Sequence, residues 1–141
     1  MRRPRADQEV NYKGGRVVKE WFILLQPDTD MIGAVALDPK GRVLEWYYQT
    51  IECASIECVS LYFDSIRSDQ LIMIVDEEGL IKEKDLNASA SGLYIRSGYR
   101  GIIVGRALIG RMVYRDGEPD VGGFETSEYA MQIAEKLRRY M

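Results

Sequence analysis

Residues 71–75 read L-I-M-I-V, an apolar run with no polar alternation. A strand with one face in water alternates apolar and polar side chains. A run that does not alternate, too short for a helix and rich in β-branched types, fits a strand buried at the centre of a sheet. The rest of the chain must supply its neighbours. Residues 17–25, V-V-K-E-W-F-I-L-L, have the β-branched and aromatic content of a strand. Residues 31–37, M-I-G-A-V-A-L, form a second strand candidate. Q-P-D-T-D separates the two and D-P-K-G follows, so a hairpin is expected. Residues 55–63 alternate Ile56, Cys58, Ser60, Tyr62 against Glu57, Val59, Leu61, Phe63, which reads as another strand.

The helical segments are fewer. Leu44, Tyr47, Tyr48 and Ile51 recur at helical spacing within residues 43–52. Asn87 is a good N-cap for one or two turns beginning A-S-A-S, with Gly92 and Gly98 limiting their length. Thr126 caps a last helix with Glu128 in its first turn; Ala130, Ile133, Ala134, Leu137 and Met141 form its apolar face, and Lys136, Arg138 and Arg139 suit its C-terminal end. D-E-E-G at 76–79 reads as a hairpin turn, with Leu80–Lys84 returning as a short strand. Residues 101–114 read as one long glycine-punctuated strand, with a bulge near Gly105 or Gly110, and R-D-G-E-P-D-V-G-G as a loop. Strands in neighbouring runs with helices between them imply an α+β fold. The expected form is a mostly antiparallel sheet, short helices packed on one face and a C-terminal amphipathic helix. Residues 1–16 read as a flexible basic arm and 17–141 as a single domain, which suits a chain of 141 residues.

Composition removes several chemistries. The chain has no histidine. Ser-His and Cys-His catalysis, His-ligated zinc and the usual neutral-pH base are thereby excluded. A histidine-free hydrolase would need a Ser-Lys or paired-carboxylate site. Cys53 and Cys58 are too few for a disulfide framework and are not spaced C-x-x-C, so two reduced, mostly buried thiols are expected. No apolar run approaches a membrane span, and no apolar segment follows M-R-R-P-R-A-D-Q as a secretory signal requires, so a cytoplasmic protein is expected. Residues 1–19 carry a net charge of +4, residues 20–80 one of −9 and residues 81–141 one of +2. An acidic whole argues against generic DNA binding.

Three motifs invite a chemical reading. Counted from Asp76, an EF-hand loop would need glycine sixth and glutamate twelfth; the chain has Ile81 and Asn87 there, so no calcium loop is present and no metal or cofactor is expected. N-A-S-A-S-G resembles a phosphate cradle in its small residues, with the amides from Asn87 through Ser89 to Ser91 at a helix start, but neither glycine-rich phosphate motif occurs. Residues 94–115 hold Arg96, Arg100, Arg106, Arg111 and Arg115 and no acid. Arginine makes planar, bidentate contacts with phosphate or carboxylate, and Tyr94 or Tyr99 could stack on a base. The competing reading is that these arginines pair across the sheet with the acids of residues 20–80.

The pieces I-E-C-A-S-I-E-C-V-S-L, L-I-M-I-V-D-E-E-G-L-I, L-N-A-S-A-S-G-L-Y and I-I-V-G-R-A-L-I follow one another in the order of a known pattern. From about residue 44 to 125 the chain resembles DUF3846, a domain-of-unknown-function family of phages, plasmids and mobile elements, with Gly79, Asn87, Ala88, Gly105 and Ala107 in the matching places. The resemblance implies a small accessory protein and supplies no activity and no catalytic residues. Proteins in that setting often counter host defence, by sequestering a nucleotide signal or by gripping a host protein. The first reading is therefore a non-enzymatic protein that sequesters a small anionic nucleotide ligand through Arg96, Arg100, Arg106, Arg111, Tyr94, Tyr99, Asn87 and Ser89. The second is an acidic interaction module that binds a host protein. A homo-oligomer is compatible with either, since a long apolar strand at 101–114 needs covering.

Overall fold

The computed structural model describes residues 12–13, 16–17, 19–37, 42–66 and 69–141. Two short strands, β1 (Tyr12–Lys13) and β2 (Arg16–Val17), pair with each other. The rest of the expected arm, and the D-P-K-G turn, lie outside the described residues. The main sheet is built from β3 (Trp21–Leu25), β4 (Ile32–Ala36), β5 (Ile56–Leu61), β6 (Leu71–Asp76), β7 (Ala107–Arg115) and β8 (Glu118–Gly122). Its strands run in the order β4-β3-β7-β6-β5, and β8 pairs with β7 alongside that path. Every pairing in it is antiparallel. The helices are α1 (Val43–Ile51), α2 (Ala88–Arg96) and α3 (Ser127–Leu137), the last running into a 3-10 turn at Arg138–Tyr140. No helix among the described residues is long and apolar enough to cross a membrane.

The unalternating run is buried throughout and lies between β5 and β7. Leu71, Met73 and Val75 enter one core, with Ala90 and Leu93 of α2 and Ala130, Ile133, Ala134 and Leu137 of α3. Ile72 and Ile74 enter a second core with Val43, Tyr47 and Ile51 of α1. Each such aliphatic side chain contributes about 1.5–3 kcal/mol by leaving water. The α+β class, the antiparallel sheet and the C-terminal helix are as expected. One detail is corrected: α2 and α3 cover one face, but α1 covers the other, because β6 is apolar on both of its faces. α3 starts as its sequence predicts, with Thr126 Oγ1 accepting from Tyr129 N at 3.0 Å.

Four local expectations are corrected, each for a physical reason. Leu80–Lys84 forms tight turns and not a returning strand, with Lys82 N donating to Glu78 O and Lys84 N to Gly79 O. Both edges of β6 are already taken by β5 and β7, so no edge remains for a hairpin partner. The long strand expected over 101–114 begins only at Ala107. Gly105, at φ +77°, turns the chain just before it. β7 is covered by β3, β6 and β8 within the chain, which removes the reason given for an oligomer. The expected loop at 115–123 is instead the hairpin β7–β8. Asp116 and Gly117 both have positive φ, 52° and 78°, the signature of a tight two-residue turn. Pro119 is tolerated because, among the described strands, β8 pairs only with β7. Finally, α2 continues through Gly92, where the main chain of Met141 comes so close that only glycine fits.

Candidate functional site

The segment between β6 and α2 is held down by Asn87. This residue is fully buried. Its Oδ1 accepts from Ala90 N at 3.0 Å, capping α2, and its Nδ2 donates to the carbonyls of Leu25 at 3.1 Å and Gly105 at 2.9 Å. Both amide hydrogens are thus committed inside the chain. Ser91 adds a second stitch, since its Oγ accepts from Ile103 N at 2.8 Å and donates to Ile103 O at 3.1 Å. Ser89 is half-buried on the same helix. Gly79 packs so closely on Val104 that a Cβ there would stand 2.8 Å from the Val104 methyl, and a Cβ on Gly105 would stand 2.8 Å from the Lys84 stem. The residues Gly79, Asn87 and Gly105, which carry the resemblance, therefore lock the 77–87 loop against residues 103–105.

The arginine-rich segment does not converge on one surface. Arg106 pairs with Glu52 at 3.1 Å and reaches Thr50 O at 3.4 Å, at the C-terminal end of α1. Arg111 pairs with Asp69 at 3.2 Å, donates to Gly123 O at 2.9 Å and lies over the Phe124 ring. Arg115 pairs with Glu20 at 3.0 Å. These three follow the cross-sheet reading, each meeting an acid from residues 20–80. Arg96 and Arg100 are exposed and hold no ion pair among the described residues. They line separate clefts, Arg96 beside Tyr62, Asp69 and Tyr140, and Arg100 beside Tyr94 and Ile102. Tyr94 and Tyr99 stack on each other at 4.7 Å, and the Tyr99 hydroxyl donates to Ser60 O at 2.9 Å on the outer edge of β5.

Since Arg106 sits in a pair that is 38% and 65% exposed, Arg106→Ala is expected to destabilise the protein by less than about 1 kcal/mol, most of it from the α1 terminus. Urea unfolding measures this. A loss above about 2 kcal/mol would mean that the residue does more than cap the helix.

The loop 77–86 presents a surface that sequence reading missed. Its base is Asp76, whose side chain is fully buried and pairs with Lys84 Nζ at 2.7 Å and Lys82 Nζ at 3.4 Å. Lys84 Nζ also donates to the carbonyl of Glu52 at 2.6 Å, tying the loop to the end of α1. With its backbone pinned this way, the loop holds Leu80, Ile81 and Leu86 outward at 64%, 81% and 51% exposure, and Ile102 adds a fourth aliphatic group at 48%. Exposed acids on the same loop are Glu77, Glu83 and Asp85. Leu80, Ile102, Glu57, Glu77 and Arg100 together line a shallow cleft of about 190 Å³. The available signal was G-L-I-K-E-K-D-L, whose apolar residues follow no strand or helix period. Among the described residues no group of three or more Cys, Asp or Glu is placed to hold a metal ion.

A family model described as "Domain of unknown function (DUF3846)" matches residues 19–132, from the residue group before β3 into α3. No curated protein and no solved structure matches the chain.

Proposed function

We propose, from the premise that this chain belongs to the DUF3846 family, that it is a non-catalytic binding protein whose 77–86 surface docks on another protein. One observation carries the reading. Leu80, Ile81 and Leu86 are large aliphatic side chains held in water by a well-tied loop that also carries Glu77, Glu83 and Asp85, and Ile102 beside Leu80 adds a fourth exposed aliphatic group. Clustered exposed apolar groups with a charged rim are the usual composition of a protein-binding patch. The acids favour a partner with a basic surround. The mobile-genome setting implied by the resemblance makes a host protein, and a role in countering host defence, the fitting class. A Ser-Lys site is disfavoured because the two lysines it would draw on, Lys82 and Lys84, both face Asp76.

Immobilised protein should retain a host protein at about 0.1 M salt, where the Debye length is about 10 Å, and release it steeply as added salt shortens that length toward about 3 Å at 1 M. Ile81→Asp combined with Leu80→Asp should cut recovery at least about tenfold, with the melting temperature within about 2 °C of the parent because both side chains are exposed. Equal recovery by parent and variant would overturn the proposal. The nucleotide-sequestering reading rests now on the exposed Arg96 and Arg100. It would be favoured instead by a melting-temperature rise with mono-, di- or cyclic nucleotides that Arg96→Ala with Arg100→Ala removes.

A further inference from the structure

On the α1 side of the sheet, Glu20, Arg115 and Asp120 form a buried charge cluster. Glu20 is 7% exposed and Asp120 5%. Arg115 Nη2 lies 3.0 Å from Glu20 Oε1, and its Nε lies 3.6 Å from Asp120 Oδ2. Glu20 Oε1 also accepts from Gly123 N at 3.1 Å, and Asp120 Oδ1 from Val121 N at 2.8 Å. The second oxygens, Glu20 Oε2 and Asp120 Oδ2, are buried with no hydrogen-bond partner, and so are Arg115 Nε and Nη1 and the Tyr47 hydroxyl. Burial first, then Glu20, Cys58 and Asp120, hold the Tyr47 hydroxyl far above its usual range, so it stays a neutral donor or acceptor beside these acids. Two carboxylates on one guanidinium leave a surplus negative charge out of water, which is unfavourable unless a cation joins them.

Asp120, with its side chain only 3% exposed, lines a cleft of about 500 Å³, within the range of sites for small organic ligands. Its walls include Tyr62, Tyr94, Tyr99 and Met112, Glu57 stands at its margin, and no lysine or arginine is among the described residues that line it. Tyrosine faces and a thioether accept an apolar stem and attract a cation; the two acids repel an anion. We propose that this cleft binds an organic cation, an alkylammonium or alkylguanidinium group, with Asp120 taking the charge and the tyrosines enclosing the stem. The cleft adjoins the 77–86 surface, sharing Glu57 and Tyr94 with the cleft beside Leu80 and Arg100, and its ligand has the opposite charge to the one the arginines suggested.

The same cation could come from a free amine or from a lysine or arginine side chain of a polypeptide. The test titrates the full chain with n-butylguanidinium chloride, n-butylammonium chloride and Nα-acetyl-arginine N-methylamide, against sodium chloride at matched ionic strength and neutral n-butylurea. A concentration-dependent rise in melting temperature is expected with the cations only. Tighter binding of the arginine amide would assign a polypeptide source, and equal or tighter binding of the simple cations a free amine; either supports the site. Asp120→Asn should weaken the cations about tenfold, as loss of a charge-assisted bond does. Tyr62→Ala, at a residue 60% exposed, keeps the test sound if the first variant folds poorly, and should weaken them about threefold. No rise beyond the sodium chloride control, an equal rise with n-butylurea, or an unchanged rise in Tyr62→Ala together with a folded Asp120→Asn would overturn the proposal.

Discussion

Asn87→Ala is expected to destabilise the protein by about 3 kcal/mol, a large share of the roughly 5–15 kcal/mol typical of a whole domain. The substitution strips the cap from Ala90 N and leaves the carbonyls of Leu25 and Gly105 without their donor. The site is fully buried, so water does not replace what is lost. A missing N-cap accounts for about 1 kcal/mol, and the unsatisfied carbonyls for the remainder. Asn87→Asp should be no better, because it keeps the capping oxygen but points a carboxylate at two carbonyl oxygens. Urea unfolding of the three proteins measures both changes. A loss under about 1 kcal/mol for Asn87→Ala, or an Asp variant near the parent, would show that the three segments are held together by something else.

Lys84→Met should be nearly as damaging at neutral pH, at about 3 kcal/mol, and its effect should depend on pH. It removes the ammonium 2.7 Å from the buried Asp76 carboxylate and leaves only Lys82 at 3.4 Å and the Glu78 amide at 2.8 Å. In the parent, burial alone would raise the Asp76 carboxyl, but the Lys84 ammonium and the Glu78 amide outweigh it and hold the group below its ordinary 3.8. A carboxyl depressed in the folded state contributes stability that is fully present above its unfolded value. That contribution is lost as pH falls through the lower folded value. In the variant the burial effect gains relative weight, and protonation relieves the buried charge. The stability gap between parent and variant should therefore be widest near pH 7 and narrow below about pH 4. Adding Asp76→Asn to Lys84→Met should recover much of the loss at pH 7. A gap that stays constant from pH 7 to 3, with no recovery in the double variant, would rule out the ion pair as the cause.

Much of the secondary structure could be read from local pattern. The β3–β4 hairpin, α1, β5, β6, the Asn87 cap and α3 each follow from periodicity or capping chemistry within a few residues, and those forces act locally. The misread segments needed knowledge of neighbours. Leu80–Lys84 cannot pair with β6, because β5 and β7 occupy both of its edges. The expected loop at 115–123 is a hairpin because Pro119 sits in β8, whose only described partner is β7. The arginine-rich segment looked like one anion site because sequence proximity stood in for spatial proximity. Folding sends Arg106 to the end of α1, Arg111 to Asp69 and Arg115 to Glu20.

By itself, the sequence determined the class of fold and the exclusion of histidine chemistry. An apolar run must leave water, and an absent side chain cannot act. Only the tertiary structure decided which charges cancel one another, which aliphatic groups stay in water on the 77–86 loop and where two carboxylates share one guanidinium. Those outcomes depend on contacts between residues far apart in the chain, such as Glu20 with Arg115, whose energies are set by distance and burial and not by order along the backbone.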